Sequence, residues 1–287
     1  MLLSGQAILA PAHDHAFSVP AFNVSDYAML KGLVEVCEEL RSPLIVAIHP
    51  DELAHVGVDF IPAAIAWAHR ATVPVTIHLD HGADVDQVLT AIQAGFTSVM
   101  IDGSLLPFDE NIALTKEVTR IAHAVGVSVE GELGTIGKLD EQAEEGASEI
   151  IYTDPEDARR FVAETGVDSL AIAIGTSHGL YPATMTPELR LDLLEKIKET
   201  VDIPLVLHGG SGNPDKEIAG AVERGINKIN ISSDIKVAYH RAMREVLVAD
   251  PSLREPNLIQ PLSLPAMKKV AEEKIRLFQA DGKADLY

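Results

Sequence analysis

Residues 76–82 read Thr-Ile-His-Leu-Asp-His-Gly, an apolar run that ends in two histidines, an aspartate and a glycine. A similar ending recurs at His178 in Gly-Thr-Ser-His-Gly and at His208 in Leu-His-Gly-Gly-Ser-Gly. We therefore expect each of these histidines to lie where a buried strand gives way to a loop. The C-terminal ends of all strands in a closed parallel barrel meet at one rim, so side chains distant in sequence can converge there.

The histidines His81, His178 and His208 are typical of a catalytic zinc site, in which three neutral imidazoles leave one coordination position open. Structural zinc sites more often use thiolates, and Cys37 is the only cysteine in the chain. The alternative for each histidine taken alone is a core residue with satisfied hydrogen bonds. Their shared position at predicted strand ends favours the metal.

Apolar runs alternate with helical segments along the whole chain, and the runs lack the polar alternation of a strand with one solvated face. Such runs are typical of parallel strands covered on both faces, so we predict an α/β fold, a single (β/α)8 TIM-barrel domain over residues 1–287 with an additional C-terminal helix. The predicted strands are residues 17–24, 44–48, 73–79, 97–101, 127–133, 168–174, 204–208 and 226–231. The predicted helices are residues 26–41, 60–70, 84–94, 110–125, 155–165, 187–200, 214–224 and 233–248, then a proline-rich connector at 251–265 and a last helix at 266–278.

Charge and cysteine content narrow the range of partners and compartments. The chain carries 23 basic and 43 acidic residues, a formal charge of −20, which disfavours nucleic acid and anionic membranes as partners. No apolar stretch approaches the roughly 20 residues of a membrane span. A single cysteine fits a reducing cytosol, so we expect a cytoplasmic protein.

Two loops on the predicted rim indicate an anion site. Gly-Gly-Ser-Gly at 209–212 follows the seventh predicted strand, and Asn-Ile-Ser-Ser-Asp at 230–234 follows the eighth and opens a helix. Backbone N–H groups and hydroxyls in such loops can bind an anion. The loops after strands 7 and 8 are the usual phosphate site of this barrel.

Carboxylates are expected close to the three histidines. Asp80 precedes His81 directly, and we interpret it as a general acid/base, with His78 as a supporting core residue on the same side of the strand. The alternative is that Asp80 only orients His81. Asp102 and Glu132, after the fourth and fifth predicted strands, either supply a second or transient metal position or cap neighbouring helices.

The long polar interval at residues 134–148 is a candidate lid over the rim. One of its acids could deliver a proton when the lid closes, and the alternative is a solvated acidic loop. These acids are Asp140, Glu141, Glu144 and Glu145.

Seven motifs, kept in order, together resemble the class II, zinc-dependent ketose-bisphosphate aldolases, the family of fructose- and tagatose-bisphosphate aldolases. The motifs are Ala-Phe-Asn at 21–23, His-Leu-Asp-His-Gly at 78–82, Ser-Val-Met-Ile-Asp-Gly-Ser at 98–104, Val-Glu-Gly-Glu-Leu-Gly at 129–134, Ile-Gly-Thr-Ser-His-Gly at 174–179, Leu-His-Gly-Gly-Ser-Gly at 207–212 and Lys-Ile-Asn-Ile-Ser-Ser at 228–233. The resemblance covers residues 17–234 and continues more weakly into the C-terminal helix.

The resemblance implies a lyase of carbohydrate metabolism, a homodimer or homotetramer, that reversibly cleaves a ketose phosphate into dihydroxyacetone phosphate and an aldehyde. It implies that the three histidines bind Zn²⁺, that Asp102 and Glu132 match an alternate metal position, and that Asp80 moves the proton of the substrate C4 hydroxyl. Carbonyls around Gly179 and Gly209 are implied to hold a monovalent cation, Na⁺ or K⁺. The residues implied to bind the substrate are Asn23, Gly179, Gly209, Gly210, Ser211, Asn230, Ile231, Ser232 and Ser233.

The chemistry of such a cleavage agrees with these residues. Breaking the C3–C4 bond leaves an enediolate whose charge needs an electrophile beside it, which Zn²⁺ supplies. The metal-free imine route needs a lysine near the reacting carbonyl. The sixth predicted strand carries no lysine, and Lys228 lies inside the eighth strand rather than at its mouth.

Departures from the family pattern bear on the substrate. The lid segment at 136–142 differs from the usual Gly-Gly-x-Glu-Asp, and Ser-Leu-Pro at 263–265 stands where related bisphosphate aldolases place an arginine or lysine. His49-Pro-Asp-Glu follows the second strand, and we expect His49 and Asp51 to contribute to distal specificity. Carboxylates there would repel a second phosphate, so the prediction is a ketose 1-phosphate with a polyol, carboxylate or sulfonate far end.

Two other functions stay open at this level. Some relatives resemble subunits of heteromeric tagatose-bisphosphate aldolase-type complexes, so the chain could be a weakly active or non-catalytic barrel subunit. A zinc hydrolase is also conceivable, although its usual His-x-His pair on the first strand is absent here, where that strand offers only Asn23.

Overall fold

The fold is a closed parallel barrel, seen in a computed structural model that describes residues 1–139, 150–182 and 184–287. The barrel strands are β1 (Val19–Asn23), β2 (Leu44–Ile48), β3 (Val75–Gly82), β4 (Ser98–Ile101), β5 (Ser128–Leu133), β6 (Ser169–Ile172), β7 (Leu205–Leu207) and β8 (Ile226–Ile231). Each strand pairs in parallel with the next, and β1 pairs with β8 to close the ring. The predicted (β/α)8 architecture is confirmed.

Helices cover the outside of the barrel. In the part of the chain that the structure describes they are α1 (Gly5–His15), α2 (Tyr27–Leu40), α3 (Pro50–Val56), α4 (Phe60–Arg70), α5 (Val85–Ala94), α6 (Phe108–His123), α7 (Pro155–Thr165), α8 (Leu191–Thr200), α9 (Asp215–Glu223), α10 (Ser233–Ala249) and α11 (Pro256–Leu277), with a 3-10 turn at Lys283–Leu286. Asp26 and Asp84 cap α2 and α5 by accepting backbone N–H bonds, as their side chains favour. Within these described helices, none is both long and apolar enough to cross a bilayer.

Helix α1, which was not predicted, lies at the end of the barrel opposite the rim. The carbonyl of Leu3 accepts hydrogen bonds from the hydroxyls of Thr76 and Thr97, at 3.0 and 2.7 Å. The backbone N–H of Gln6 donates to the Ser128 hydroxyl at 2.9 Å. These threonines and the serine stand at or beside the first residues of their strands, so the N-terminal segment covers the base and leaves the rim open.

The C-terminal prediction was wrong in its boundaries. Residues 256–265, predicted as part of a connector, form the first part of α11, which contains Pro261 and Pro265. A proline interior to a helix usually costs several kcal/mol, about 3 in isolation. Packing of α11 against α2 offsets this cost. Gly32 of α2 lets the two helices approach so closely that a Cβ added at Gly32 would lie 2.9 Å from the terminal methyl of Met267 on α11.

Candidate metal centre and substrate pocket

The end of β3 departs from regular strand geometry at the proposed catalytic residues. The pairing of β3 with β4 shifts register between Leu79 and Gly82, and His81 has a φ of +52°. In a regular strand, Asp80 and His81 would point to opposite faces. A bulge with one residue in the left-handed region re-aims the side chains, so both can serve one site. The sequence did not predict this feature.

The structure brings His81, His178 and His208 together, all buried. One nitrogen from each ring lies within 4.8 Å of the others. The ring centroids are 5.1 Å apart for His81 and His178 and 4.5 Å apart for His81 and His208. His178 was predicted to end a barrel strand, and this prediction was wrong. Strand β6 stops at Ile172, and Ser177–His178 pair with Gly137–Lys138 in a separate two-stranded sheet.

Hydrogen bonds fix which ring nitrogens of two histidines remain available. His81 Nδ1 lies 2.9 Å from Asp102 Oδ2, and His208 Nε2 lies 2.8 Å from Glu130 Oε1. Each carboxylate accepts the N–H of its histidine, so in the neutral ring, the form that binds a metal, the opposite nitrogen carries a lone pair. Among the described residues, His81 Nε2 and His208 Nδ1 have no hydrogen-bond partner although both are buried. Such orphaned acceptors fit metal coordination.

Acidic side chains surround one edge of this histidine cluster. Atoms of His81, Asp102 and Glu132 form a second group within 4.8 Å of one another. Burial and the nearby Asp102 charge raise the pKa of Glu132 well above its usual range. Burial opposes protonation of His81, but its hydrogen bond to Asp102 and the Asp80 charge raise its pKa well above the usual value. The surroundings therefore favour a positive charge, which a bound cation would provide.

Asp80 is fully buried and held at both oxygens. Asn230 donates to Asp80 Oδ1 and Asn23 donates to Asp80 Oδ2, each at 2.9 Å. Asp80 Oδ1 lies 4.0 Å from His208 Nδ1. Burial alone would raise its pKa, but neighbouring positive groups, with His81 first, hold the pKa well below the usual range. Since the hydrogen bond of His81 goes to Asp102, the alternative in which Asp80 only orients His81 finds no support.

A charged network that the sequence analysis missed lies beneath the histidine cluster. Lys228 Nζ lies 2.7 Å from Glu130 Oε2 and 3.2 Å from His78 Nε2, and His78 Nδ1 lies 2.8 Å from the Ser98 hydroxyl. Burial and the Lys228 charge lower the pKa of His78 to about 3, so the ring is neutral. Glu130 thereby links Lys228 to His208. The motifs at 129–134 and 228–233 contained both charges, but only barrel closure pairs them.

A pocket opens beside the histidine cluster, built by the loops that follow β6, β7 and β8. Its lining residues are His178, Gly179, Gly209, Ser211, Asn230, Ser232, Ser233 and Lys236. Gly209 has a φ of +63°, and an added Cβ would lie 2.8 Å from the Ser177 carbonyl oxygen, so the loop requires glycine here. The Ser211 hydroxyl accepts the N–H groups of Ser232 and Asp234, both at 3.3 Å, which joins two of the loops.

Six of the nine predicted substrate residues line this pocket, and Asn23, Gly210 and Ile231 do not. Asn23 instead donates to Asp80 Oδ2 at 2.9 Å. Ile231 packs its side chain in the apolar core, and Gly210 donates its N–H to the Asn230 carbonyl. Lys236, in the first turn of α10, was missed by the sequence analysis, since a lone helical lysine carries no recognisable signal. Its ammonium group contacts Glu52 Oε1 at 2.6 Å.

The segment after β2 divides into a buried and an exposed part. The carboxylate of Glu52 accepts bonds from the His49 N–H at 2.9 Å and from the Ser25 hydroxyl at 3.1 Å. The side chain of His49 is 6% exposed, whereas that of Asp51 is 96% exposed. The two carboxylates of this segment therefore differ in how their charge is balanced. The Glu52 charge is offset by Lys236, whereas the Asp51 charge faces solvent.

The proposed acids of the lid, at 140–145, lie outside the described residues. The preceding part of that interval is described, and it runs alongside the site. Thr135 pairs with Ile151, and the Leu139 N–H donates to the His178 carbonyl at 3.0 Å. The segment entering the candidate lid therefore touches a candidate metal ligand.

The family model of class-II fructose-bisphosphate aldolases matches residues 4–283. Among solved structures, the YdjI aldolase from Escherichia coli K12 is similar at 35% identity and a TM-score of 0.86, covering 99% of this chain and 100% of that one. A protein from Coccidioides immitis assigned as a fructose-1,6-bisphosphate aldolase is similar at 29% identity and a TM-score of 0.89, covering 99% of this chain and 98% of that one.

A third structure, fructose-bisphosphate aldolase (Fba) from Campylobacter jejuni, is similar at 23% identity and a TM-score of 0.83. The match covers 98% of this chain and 97% of the Campylobacter jejuni chain. At this identity the likeness concerns the fold, and it agrees with the barrel described above.

Proposed function

The chain belongs to the class-II fructose-bisphosphate aldolase family and is an aldolase, and from that premise we propose that it reversibly cleaves a ketose phosphate into dihydroxyacetone phosphate and an aldehyde with the help of Zn²⁺. The observation that carries the proposal is the pair of buried ring nitrogens, His81 Nε2 and His208 Nδ1, which have no hydrogen-bond partner among the described residues. His208 Nδ1 also lies 4.0 Å from Asp80 Oδ1.

The donor set fits a divalent cation. His81, His178 and His208 would hold it, and Asp102 with Glu132 would offer an alternate position. When bound, the cation would supply Lewis-acid polarisation of the substrate carbonyl and stabilise the charge that develops on bond cleavage. The carboxylates of Asp102 and Glu130 support this role by keeping the hydrogen on the outer nitrogens of His81 and His208.

Asp80 is proposed to take the proton of the C4 hydroxyl during cleavage and to return it during condensation. The amide groups of Asn23 and Asn230 donate to its two oxygens, which favours the carboxylate form needed to accept a proton. Burial of the carboxylate excludes water that would compete for the proton. General acid/base catalysis of this kind typically contributes about 10²–10⁴-fold.

The pocket at Gly179, Gly209, Ser211 and Ser233 is proposed to bind the phosphate of the dihydroxyacetone phosphate half. The Ser211 oxygen already accepts two N–H bonds, so its own O–H can donate to a phosphate oxygen. Lys236, whose ammonium group is paired with Glu52, also lines the pocket and can donate to a phosphate oxygen. In a chain of net charge −20, such local donors are needed to hold an anionic substrate. Carbonyls around Gly179 and Gly209 remain the proposed position for Na⁺ or K⁺.

The test is a steady-state screen of ketose 1-phosphates and 1,6-bisphosphates with the isolated chain, before and after chelation and after Zn²⁺ is restored. We expect aldehyde release that disappears with the metal and returns with Zn²⁺. Full turnover after complete removal of metal, verified by elemental analysis, would reject the proposed mechanism. No aldehyde release from any substrate by the metal-loaded chain would favour the non-catalytic subunit of a complex.

The same screen addresses the far end of the substrate. We propose that a ketose 1-phosphate without a second phosphate is preferred, because the exposed Asp51 carboxylate in the first turn of α3 would repel one. The buried Glu52 does not strengthen this expectation, since Lys236 offsets its charge. Cleavage of fructose 1,6-bisphosphate as fast as of any monophosphate would contradict the preference.

A further inference from the structure

His49, at the C-terminal end of β2, has one ring nitrogen committed to the backbone. It is the residue that caps helix α3, and its Nδ1 accepts the N–H of Asp51 at 3.2 Å. A neutral imidazole that accepts at Nδ1 carries its hydrogen on Nε2. The fold therefore sets the tautomer of this ring and leaves Nε2–H as a donor.

This donor is buried without an acceptor. Within the described residues, His49 Nε2 has no hydrogen-bond partner, and the side chain is 6% exposed. Leaving a buried donor unpaired destabilises a protein, so such a group calls for an explanation. The helix cap alone explains only Nδ1. The ring also stands next to the candidate metal centre, with its centroid 6.1 Å from that of His81.

The position of His49 identifies which half of a sugar phosphate it can reach. The phosphate pocket is built by the loops after β6, β7 and β8, whereas His49 follows β2, whose neighbour β3 carries Asp80 and His81. A substrate whose phosphate lies in that pocket and whose C4 oxygen meets Asp80 extends its remaining carbons past Asp80. Because β2 neighbours β3 and the His49 ring stands beside that of His81, we infer that these carbons pass His49.

We propose that His49 is a specificity-determining residue, whose Nε2–H donates to a hydroxyl or carboxylate oxygen on the aldehyde half of the substrate. The inference rests on the proposed function, because it takes the phosphate pocket and Asp80 as fixed points. It assigns the aldehyde as an oxygenated one rather than an apolar one. Asp51, with its exposed side chain, contributes its backbone N–H to His49 rather than a direct contact.

Two variants separate the donor from the helix cap. His49→Asn keeps an oxygen that can cap α3, since asparagine is among the best capping residues, but its amide is too short to replace Nε2. His49→Gln places an amide N–H near the position of Nε2 and loses the acceptor at Nδ1. His55→Gln, on the exposed face of the same helix, is the matched control.

The experiment measures kcat/KM for condensation of dihydroxyacetone phosphate with glyceraldehyde and with propanal, which has the same carbon chain without hydroxyls. We expect His49→Asn to lower the glyceraldehyde-to-propanal ratio about tenfold, the size of one lost hydrogen bond. His49→Gln should keep most of the ratio, and His55→Gln should keep all of it. An unchanged ratio in His49→Asn overturns the proposal, as does a fall in His49→Gln alone, which would indicate a capping role only.

A second measurement covers the case in which His49→Asn does not fold. In the wild-type protein with ¹⁵N-labelled histidine and dihydroxyacetone phosphate bound, glyceraldehyde should shift the His49 Nε2 signal and propanal should not. Equal response to both aldehydes rejects the donor role.

If the wild-type chain condenses neither aldehyde, the proposed function itself has failed. If it condenses both and the ratio is insensitive to His49, only the present inference has failed.

Discussion

Two histidines of the same strand, His78 and His81, have opposite hydrogen-bonding states. His78 lies inside the barrel, and its two ring nitrogens contact the Ser98 hydroxyl and the Lys228 ammonium group. His81 lies at the rim, where one nitrogen contacts Asp102 and the other has no hydrogen-bond partner among the described residues. In the interior layer both ring nitrogens of His78 have hydrogen-bond partners, whereas at the rim one ring nitrogen of His81 has none among the described residues.

The difference assigns distinct tasks to the two layers. The interior network of His78, Glu130 and Lys228 stabilises the barrel and holds His208 from below through Glu130. At the rim, buried nitrogens without hydrogen-bond partners destabilise the free protein, and ligand binding offsets this destabilisation. Changes in the rim should therefore affect metal content and turnover, and changes in the interior should affect folding stability.

The largest effect is expected from removing a rim histidine. His208→Ala should lose bound metal and at least about 10³-fold in kcat/KM, because the electrophile that stabilises the developing charge is lost. Metal content by elemental analysis and steady-state kinetics measure the two effects. His69→Ala, an exposed residue on α4, is the control and should match the wild type. Retention of both metal and activity in His208→Ala would contradict the assignment of metal binding and turnover to the rim.

Next in size is the loss of the proposed acid/base. Asp80→Asn should lower kcat by about 10²–10⁴-fold while the metal stays bound. The Asn23 amide can rotate so that its carbonyl oxygen, unpaired among the described residues, meets the new NH₂ group. Asp86→Asn on the exposed side of α5 serves as the control. A parallel loss of metal and activity in Asp80→Asn would indicate a supporting role instead.

The third prediction concerns the interior layer. Lys228→Met should lower the free energy of unfolding by about 3–5 kcal/mol, because Glu130 keeps a buried charge without its ion-pair partner. Denaturant unfolding of the metal-free protein measures the change. Adding Glu130→Gln to Lys228→Met should restore most of it by removing the unpaired charge. A loss below about 1 kcal/mol in the single variant, within the range of an exposed pair, would contradict the structural role of the network.

Much of this molecule could be predicted from local patterns. The barrel strands 44–48 and 226–231 were predicted with the observed bounds. The first is an uninterrupted apolar run, which is typical of parallel strands, and the second also contains Asn227, Lys228 and Asn230. The caps of α2 and α5 follow from the preference of aspartate for the position before a helix. The convergence of His81 and His208 follows from barrel closure, which brings all C-terminal strand ends to one rim, whereas His178 reaches the site from the segment after β6.

The features that failed to be predicted depend on packing. Helix α11 begins ten residues earlier than expected because contacts with α2 outweigh the penalty of two internal prolines. The exposure of Asp51 and the burial of Glu52, neighbours in sequence, depend on the direction in which α3 leaves the rim. Lys236 gave no motif, and it joined the pocket only because α10 starts there.

Residue types and their spacing were sufficient to indicate a parallel barrel, a histidine cluster and an adjacent carboxylate, since these follow from short-range periodicity and from the ends of strands. The tertiary structure alone decided which nitrogen of each ring stays available. That choice depends on partners from other strands, Asp102 for His81 and Glu130 for His208, and on the left-handed backbone at His81. Hydrogen-bond pairing across a closed barrel is a long-range property, and no local pattern encodes it.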